Sequence, residues 1–188
     1  MILARKFYEQ DTVDVARNLL GKVLVRKIGK TTVSGIITET EAYRQADDPA
    51  SHAYRGITPR NQAMFGNVGC TYVYFTYGMY HCLNVVARSQ KHRAGAVLIR
   101  GLQPKTGIDT MIKNRKTDKI TNLTSGPGKL TIALDITKKQ YGEDLVRSSK
   151  LYITEGVTPD RIIASPRIGI RLGVDKKWNF RTSHRLFV

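Results

Sequence analysis

The chain has 188 residues and carries 31 Lys and Arg against 15 Asp and Glu, a formal net charge of +16 at neutral pH. A chain of this length has enough residues for one domain with a core of its own, and no apolar run approaches the roughly 20 residues that span a bilayer. Charged residues near the N-terminus argue against a secretion signal, so we expect a cytoplasmic protein, nucleoid-associated in a bacterium, with no membrane partner.

The excess of positive charge is the strongest global signal. Self-repulsion of this size destabilises a compact chain, and a polyanionic partner explains it economically. The basic residues are spread along the chain, so any binding face must be assembled by the fold. We therefore expect a nucleic acid partner, with a solvated basic surface as the alternative.

The cysteine and histidine spacing does not predict a metal site. Cys70 and Cys82 cannot form a disulfide framework, and no CxxC or HxxxH pair is present. His81 and His92 lie near Cys82 in the sequence, but no fourth ligand follows at a recognisable spacing. We expect no metal and no cofactor, and we place Cys82 in the core.

The first predicted elements are a helix and two strands. Asp11 can cap a helix that ends at Gly21. Two strands over Lys22–Ile28 and Thr31–Thr38 are predicted to join at Gly29–Lys30.

The second strand continues into a short acidic segment. Alternation along a strand places Glu39, Glu41 and Tyr43 on one side. Two carboxylates beside an aromatic ring at a strand end are typical of acid–base chemistry, and they are conspicuous in so basic a protein. Alternation alone equally allows two surface ion pairs with Lys or Arg.

Two helix starts follow. Asp48 and Pro49 suit the cap and the first position of a helix, and His52 falls inside its first turn. Thr58–Pro59 repeats the pattern before a short helix through Phe65. A lone histidine is more often structural than catalytic, so its sequence position alone does not indicate a functional role for His52.

An aromatic hairpin is predicted from Cys70–Tyr77 and Tyr80–Ala87, with its turn at Gly78–Met79. Within nine consecutive residues lie four of the chain's nine tyrosines, namely Tyr72, Tyr74, Tyr77 and Tyr80. Aromatic stripes normally lie in a core, but Tyr77 and Met79 flank the tip and would be exposed there. An exposed apolar tip on a basic protein suits a wedge inserted between base pairs. In the structural alternative Tyr77 is buried.

The rest of the chain predicts one more long strand, two helices and closing segments. The strand Ala96–Leu102 carries Arg100, and helices are predicted over Gly107–Arg115 and Leu130–Leu134. Later segments predicted as strands or core plugs are Leu151–Thr154, Trp178–Phe180 and Leu186–Val188.

A series of motifs runs along almost the whole chain: ETEAY at 39–43, a histidine nine residues further on, TPRN at 58–61, YVYFTYGMYHCLN at 72–84, VLIR at 97–100, SGPGKL at 125–130 and SPRIGI at 165–170. In this combination and order they resemble the alkyladenine (3-methyladenine) DNA glycosylase family. The resemblance implies an α+β fold, a single mixed domain over residues 1–188. It also implies a curved antiparallel β-sheet flanked by helices and a protruding β-hairpin.

The same resemblance assigns roles to individual residues. Glu41 corresponds to the general base that activates water, and Arg100 to a side chain that helps to hold that water. The pocket for a flipped base corresponds to four residues, Tyr43, His52, Tyr74 and Asn84, of which Asn84 restricts the purines that fit. Tyr77 corresponds to the tyrosine that fills the gap in the duplex, with Met79 beside it at the tip.

Two further residues, Asn179 and Glu39, are not assigned catalytic or pocket roles. Asn179 stands where the family commonly has Arg, and we expect this departure not to touch the pocket. Glu39 is assigned a structural role.

The implied enzyme removes alkylated purines from double-stranded DNA by hydrolysing the N-glycosidic bond. Its expected substrates are 3-methyladenine and 7-methylguanine, with hypoxanthine and ethenoadenine as neutral candidates. A base inside a duplex must be extruded before it can react, and a carboxylate can both activate water and stabilise the charge that develops on the sugar. No lysine adjoins ETEAY, so we expect a monofunctional, monomeric enzyme without a lyase step. The alternative is a non-enzymatic RNA- or tRNA-binding module that does not need Glu41.

Overall fold

The fold is built on one curved antiparallel sheet. A computed structural model describes residues 1–182, and the predicted segment Leu186–Val188 lies outside them. The strands are β1 (Val23–Ile28), β2 (Thr31–Arg44), β3 (Thr71–Thr76), β4 (Tyr80–Val86), β5 (Gly95–Thr106), β6 (Leu151–Thr154), β7 (Ile162–Ser165) and β8 (Asn179–Thr182). Their order is β3-β4-β5-β2-β1-β6, and β8 pairs with both β2 and β7. The α+β class is confirmed.

The helices are short and lie around the sheet. They are α1 (Arg5–Tyr8), α2 (Thr12–Asn18), α3 (Ile108–Arg115) and α4 (Pro127–Ala133), with 3-10 turns at Gln62–Phe65, Ile120–Asn122 and Lys138–Gln140. As predicted, the Asp11 carboxylate caps α2 by accepting a bond from the Val13 N–H at 2.9 Å. In residues 1–182 no helix is long and apolar enough to cross a membrane.

The core fills the space between the sheet and α2, α3 and α4. It includes residues from the centre of the sheet and from the helices that pack on it, such as Leu19, Ile37, Ile99, Leu130 and Phe180, all fully buried. Phe180 confirms the predicted plug at Trp178–Phe180. Cys82 is buried, as predicted, and is a free thiol.

The helix predicted at Asp48 and Pro49 does not form. Residues 48–55 make turns. The Asp48 carboxylate accepts bonds from the backbone N–H groups of Arg44 and Ala50, each at 3.2 Å. It also pairs with Arg167. A cap-like residue that is committed to a distant arginine stabilises a turn and does not start a helix.

The helix predicted from Thr58 is real but shorter. Thr58 and Asn61 exchange side-chain-to-backbone hydrogen bonds at 2.7 and 3.3 Å, and these close a turn ahead of the 3-10 segment Gln62–Phe65. Asn61 also donates to the His52 carbonyl at 2.7 Å. The turn therefore anchors the chain next to His52.

The hairpin formed by β3 and β4 is supported from behind by α4. The Thr131 hydroxyl donates to the His81 carbonyl at 2.9 Å. A Cβ atom at Gly128 would lie 2.9 Å from the Tyr80 ring, so only glycine allows this approach. The helix that follows SGPGKL thus holds the hairpin in place.

Candidate active site

One cavity of about 400 Å³ lies between the hairpin, the chain after Pro49 and the segment after Ile168. It is lined by most of the predicted site residues, Tyr43, His52, Tyr74, Tyr77, Asn84 and Arg100. Glu41 is bonded to Tyr43 and Arg100 from behind the cavity wall. Met79 lies at the hairpin tip and does not line the cavity. Within residues 1–182 no three His, Cys, Asp or Glu residues form a group that could hold a metal ion.

Glu41 is fully buried and its carboxylate is fully hydrogen-bonded. Its Oε1 accepts bonds from the Ile168 N–H at 2.7 Å and from Asn179 Nδ2 at 3.0 Å. Its Oε2 accepts bonds from the Tyr43 hydroxyl at 2.7 Å and from Arg100 Nη1 at 3.4 Å. A carboxylate has about four acceptor positions, so this buried charge is satisfied on every side.

Strand pairing explains how these groups meet. Glu41 on β2 lies opposite Leu98 on β5 and opposite Asn179 on β8. The pairing of β2 with β5 shifts register around Glu39. Arg100 on β5 consequently reaches the same face as both carboxylates, which agrees with the predicted alternation.

Glu39 and Asn179 complete a closed ring with Glu41 and Arg100. Glu39 Oε1 accepts bonds from Arg100 Nε at 3.0 Å and from Asn179 Nδ2 at 2.8 Å. Burial acts to lower the pKa of Arg100, but the charges of Glu41 and Glu39 outweigh burial and the pKa is raised. The guanidinium therefore stays charged beside two carboxylates.

Asn179 does not line the cavity, as expected, but its contact with the candidate base Glu41 was not predicted. The antiparallel register of β8 on β2 places its side chain next to the Glu41 carboxylate. Cross-strand neighbours share a face of the sheet, but a pairing between residues so far apart in sequence could not be deduced from motif spacing. The one signal was that this position departs from the pattern of the family.

The inner wall of the cavity is aromatic. The ring of His52 meets that of Tyr74 edge-on at 4.8 Å, and Tyr72 and Tyr74 lie 5.3 Å apart. Burial raises the pKa of Tyr74 and raises that of Tyr72 to about 12, so both rings stay neutral. Asn84 is buried and donates to the Tyr72 carbonyl at 3.0 Å, which fixes the orientation of its amide in the wall.

His52 is held in its neutral form. Burial, and then the charge of Arg60, lower its pKa from the ordinary value of 6.5. Its Nδ1 lies 2.9 Å from the Tyr72 hydroxyl. A neutral ring can accept that hydroxyl proton, whereas a protonated ring cannot.

Protonation of His52 is expected to oppose folding. Because the unfolded chain binds this proton more readily, the free energy of unfolding should decrease as the pH falls below 6.5. In His52→Gln the free energy of unfolding should decrease less at low pH than in the wild type. In His92→Gln, which lies outside the cavity, it should decrease as in the wild type. Urea denaturation at pH 5 and pH 7 measures the difference, and equal pH dependence in the two variants would contradict the assignment.

The hairpin tip is exposed. Tyr77 is 81% exposed and Met79 is 65% exposed, so the alternative in which Tyr77 is buried is wrong. Tyr77 has a φ of 52° and Gly78 a φ of 67°. A non-glycine residue in this left-handed region is strained by about 1–2 kcal/mol, and such strain often marks a functional position.

A buried ion pair behind the cavity was not predicted. Arg167 donates to the two oxygens of Asp48 at 2.6 and 2.7 Å, and both side chains are inaccessible to solvent. Arg167 also donates to the Ala42 carbonyl at 2.9 Å and lies 4.7 Å from the centre of the Tyr43 ring. The pair ties the segment carrying Ile168 to the strand carrying Glu41.

Comparison with known proteins identifies the family of this chain. The family model for methylpurine-DNA glycosylase matches residues 6–185. Two proteins that carry the name 3-methyladenine DNA glycosylase are close relatives. That of Prosthecochloris aestuarii is 48% identical over 98% of this chain and 89% of its own length. That of Carboxydothermus hydrogenoformans is 47% identical over 100% of this chain and 98% of its own length. The chain therefore belongs to the methylpurine-DNA glycosylase family of DNA-repair hydrolases.

Proposed function

We propose that this enzyme flips alkylated purines out of duplex DNA and hydrolyses their N-glycosidic bond with a water activated by Glu41. The observation that carries the proposal is a fully bonded, buried carboxylate behind an aromatic cavity, with an exposed tyrosine at the cavity mouth. A flipped base would enter this cavity, and an abasic site would remain in the duplex. The protein is proposed to act as a monomer.

The exposed tip supplies the wedge. Extrusion of a base leaves a gap in the stack, and an aromatic side chain that stacks in such a gap contributes about 1–3 kcal/mol. Tyr77 lines the cavity and also projects from the hairpin. This position supports the proposal that its ring occupies the gap while the base lies in the cavity.

Glu41 is suited to act through one oxygen. Oε1 is held by the backbone N–H of Ile168 and by Asn179, which does not line the cavity, whereas Oε2 is bonded to Tyr43 and Arg100, whose side chains line it. Water reaching Oε2 must replace one of these bonds, and the bond to Arg100 is the longer, at 3.4 Å. Arg100 would then donate to the attacking water. The site also holds two acidic side chains, Glu39 and Glu41, against the single guanidinium of Arg100, and this excess of acidic groups favours positive charge on the sugar.

The cavity favours water as the nucleophile. A lyase step begins with an amine that forms a Schiff base. None of the cavity-lining residues among those that the structure describes is a lysine. We therefore propose hydrolysis alone, with the DNA strands left intact.

The aromatic wall suits a cationic purine. Methylation at N3 of adenine or N7 of guanine gives the base a positive charge, which makes it a better leaving group. The faces of Tyr43 and Tyr74 attract such a ring by about 0.5–2 kcal/mol. We propose 3-methyladenine and 7-methylguanine as substrates on this ground. Hypoxanthine and ethenoadenine are neutral and would depend on shape, with Asn84 filtering the bases that fit.

The test is to incubate the purified protein with methylated duplex DNA in EDTA. Release of 3-methyladenine, with strands that break only after alkali treatment, is the expected result. Release that requires a divalent metal would contradict the mechanism, and so would strand cleavage without alkali. The absence of release alongside salt-sensitive DNA binding would contradict the activity itself.

Removal of the wedge tests the role of the hairpin. Tyr77→Ala is expected to weaken binding to lesion-containing duplex by about 5- to 150-fold, because one stacking partner is lost. Tyr77→Phe keeps the ring and should bind like the wild type. Fluorescence anisotropy at a fixed salt concentration measures both. Equal affinities for Tyr77→Ala and the wild type would exclude Tyr77 as the wedge.

A further inference from the structure

Asn179 is a buried amide with an unusual pair of partners. Its Nδ2 group donates to Glu39 Oε1 at 2.8 Å and to Glu41 Oε1 at 3.0 Å. Its Oδ1 lies 3.3 Å from the Ser165 hydroxyl, which can donate to it. An amide nitrogen has two hydrogens, so each carboxylate receives one of them.

We propose that Asn179 is a positioning residue for Glu41, which fixes Oε1 so that Oε2 is the oxygen that reacts. The inference rests on the proposed role of Glu41 as the base. Asn179 does not line the cavity, so it acts through Glu41 and does not touch the substrate.

The geometry explains why a neutral donor fits this position. Asn179 and the Ile168 N–H together occupy both acceptor positions of Oε1. Rotation of the carboxyl group would break both bonds, and Oε2 therefore stays on the side of the cavity. Because the amide carries no charge, it orients Glu41 without cancelling the negative charge that stabilises the developing cation.

Asn179 also links the base to the cation that faces it. Glu39 accepts bonds from both Asn179 and Arg100, so the amide holds Glu39 in the position from which it bonds Arg100 Nε at 3.0 Å. Loss of the amide should therefore loosen the orientation of Arg100 as well as that of Glu41.

The test replaces Asn179 by Leu, which has a similar size and no donor. We expect the single-turnover rate of 3-methyladenine release to fall on the order of 10²-fold, as for other displacements of reacting groups by about 1 Å. Affinity for lesion DNA should stay within about 2-fold, since no side chain that lines the cavity is replaced. The acidic limb of the pH–rate profile should move to higher pH, because a carboxylate that loses a donor retains its proton more readily.

Two further variants separate positioning from folding. Asn114→Leu makes the same exchange at an amide that donates to the Ala133 carbonyl at 3.0 Å, remote from the cavity. It should keep the wild-type rate and profile. Asn179→Asp keeps the size but can donate only when protonated, so its rate relative to the wild type should rise as the pH falls.

The outcomes distinguish this inference from the proposed function. If the wild type releases base and folded Asn179→Leu matches it in rate and pH profile, the positioning role is wrong and Glu41 can still be the base. If the wild type releases no base, the proposed function fails first. If Asn179→Leu does not fold, Asn179→Asp decides, because a rate ratio that is independent of pH would overturn the inference.

Discussion

Replacing Glu41 by Gln is expected to abolish excision while DNA binding persists. Gln keeps the shape of the side chain but cannot accept a proton from water or stabilise positive charge on the sugar. General base catalysis contributes about 10²–10⁴-fold, and a single electrostatic contact about 10²–10³-fold. The single-turnover rate should therefore fall by at least about 10⁴-fold, which is the largest effect on excision expected from any substitution described here.

The variant must also be shown to fold. A Gln amide has one acceptor oxygen, and the site presents donors to both oxygens of Glu41. In Glu41→Gln the amide NH₂ group faces hydrogen-bond donors where a carboxylate oxygen accepted their bonds. This mismatch should cost about 1–3 kcal/mol of stability, which urea denaturation will detect. Glu155→Gln removes an exposed carboxylate that pairs with Lys22 and serves as the charge-matched control. Release of 3-methyladenine by Glu41→Gln at the wild-type rate would refute the mechanism.

The sequence predicted those parts of the fold that depend on local pattern. Alternation placed Glu39, Glu41 and Tyr43 on one face of β2, and both carboxylates now share Arg100 and Asn179. The tyrosine-rich segment predicted an exposed tip, and Tyr77 is exposed. Each of these inferences needed only the period of a strand or the position of a turn.

Contacts between distant segments could not be predicted in this way. Asp48 has the sequence context of a helix cap, yet its carboxylate is committed to Arg167, 119 residues away. A local propensity of about 1 kcal/mol for a cap is overridden when the same group neutralises a buried guanidinium. The contact between Asn179 and Glu41 was missed for the same reason, because the two residues are 138 positions apart in the sequence.

The family could be recognised from the sequence motifs, but not from the charge or the aromatic content of the chain. Charge and aromatic residues alone allowed a non-enzymatic RNA-binding module as well as an enzyme. The match over residues 6–185 decides in favour of a DNA glycosylase. The roles of Glu41, Arg100 and Tyr77 are proposals that the variants described above test.

The largest effect on stability is expected at the buried pair of Arg167 and Asp48. Both side chains are inaccessible to solvent, and their bonds at 2.6 and 2.7 Å form a bidentate pair. Arg167→Ala leaves the Asp48 carboxylate buried without its counter-charge. Loss of one partner from a buried pair costs about 3–5 kcal/mol, which is a large part of the total stability of a domain. Urea denaturation at neutral pH measures this loss.

The Arg167→Ala protein that remains folded should also excise bases more slowly than the wild type. Arg167 donates to the Ala42 carbonyl at 2.9 Å, and the next residue, Ile168, donates its N–H to Glu41 at 2.7 Å. Without the guanidinium this segment loses its attachment to β2, so Glu41 loses one of its donors. Lys22→Ala breaks a partly exposed ion pair with Glu155 and should cost less than about 1 kcal/mol, without affecting excision.

A double-mutant cycle separates the two roles of the pair. Arg167→Met leaves the Asp48 carboxylate buried without a partner, and Asp48→Leu removes that charge. The double variant should therefore be more stable than Arg167→Met alone, since apolar replacement of a whole buried pair is often tolerated. Excision should stay low in the double variant, because neither replacement restores the bond to the Ala42 carbonyl. Recovery of stability together with full excision would show that the pair supports folding alone. If Arg167→Met is as stable as the wild type, Asp48 can be buried without its counter-charge. That result would contradict the stabilising role assigned to the bidentate ion pair.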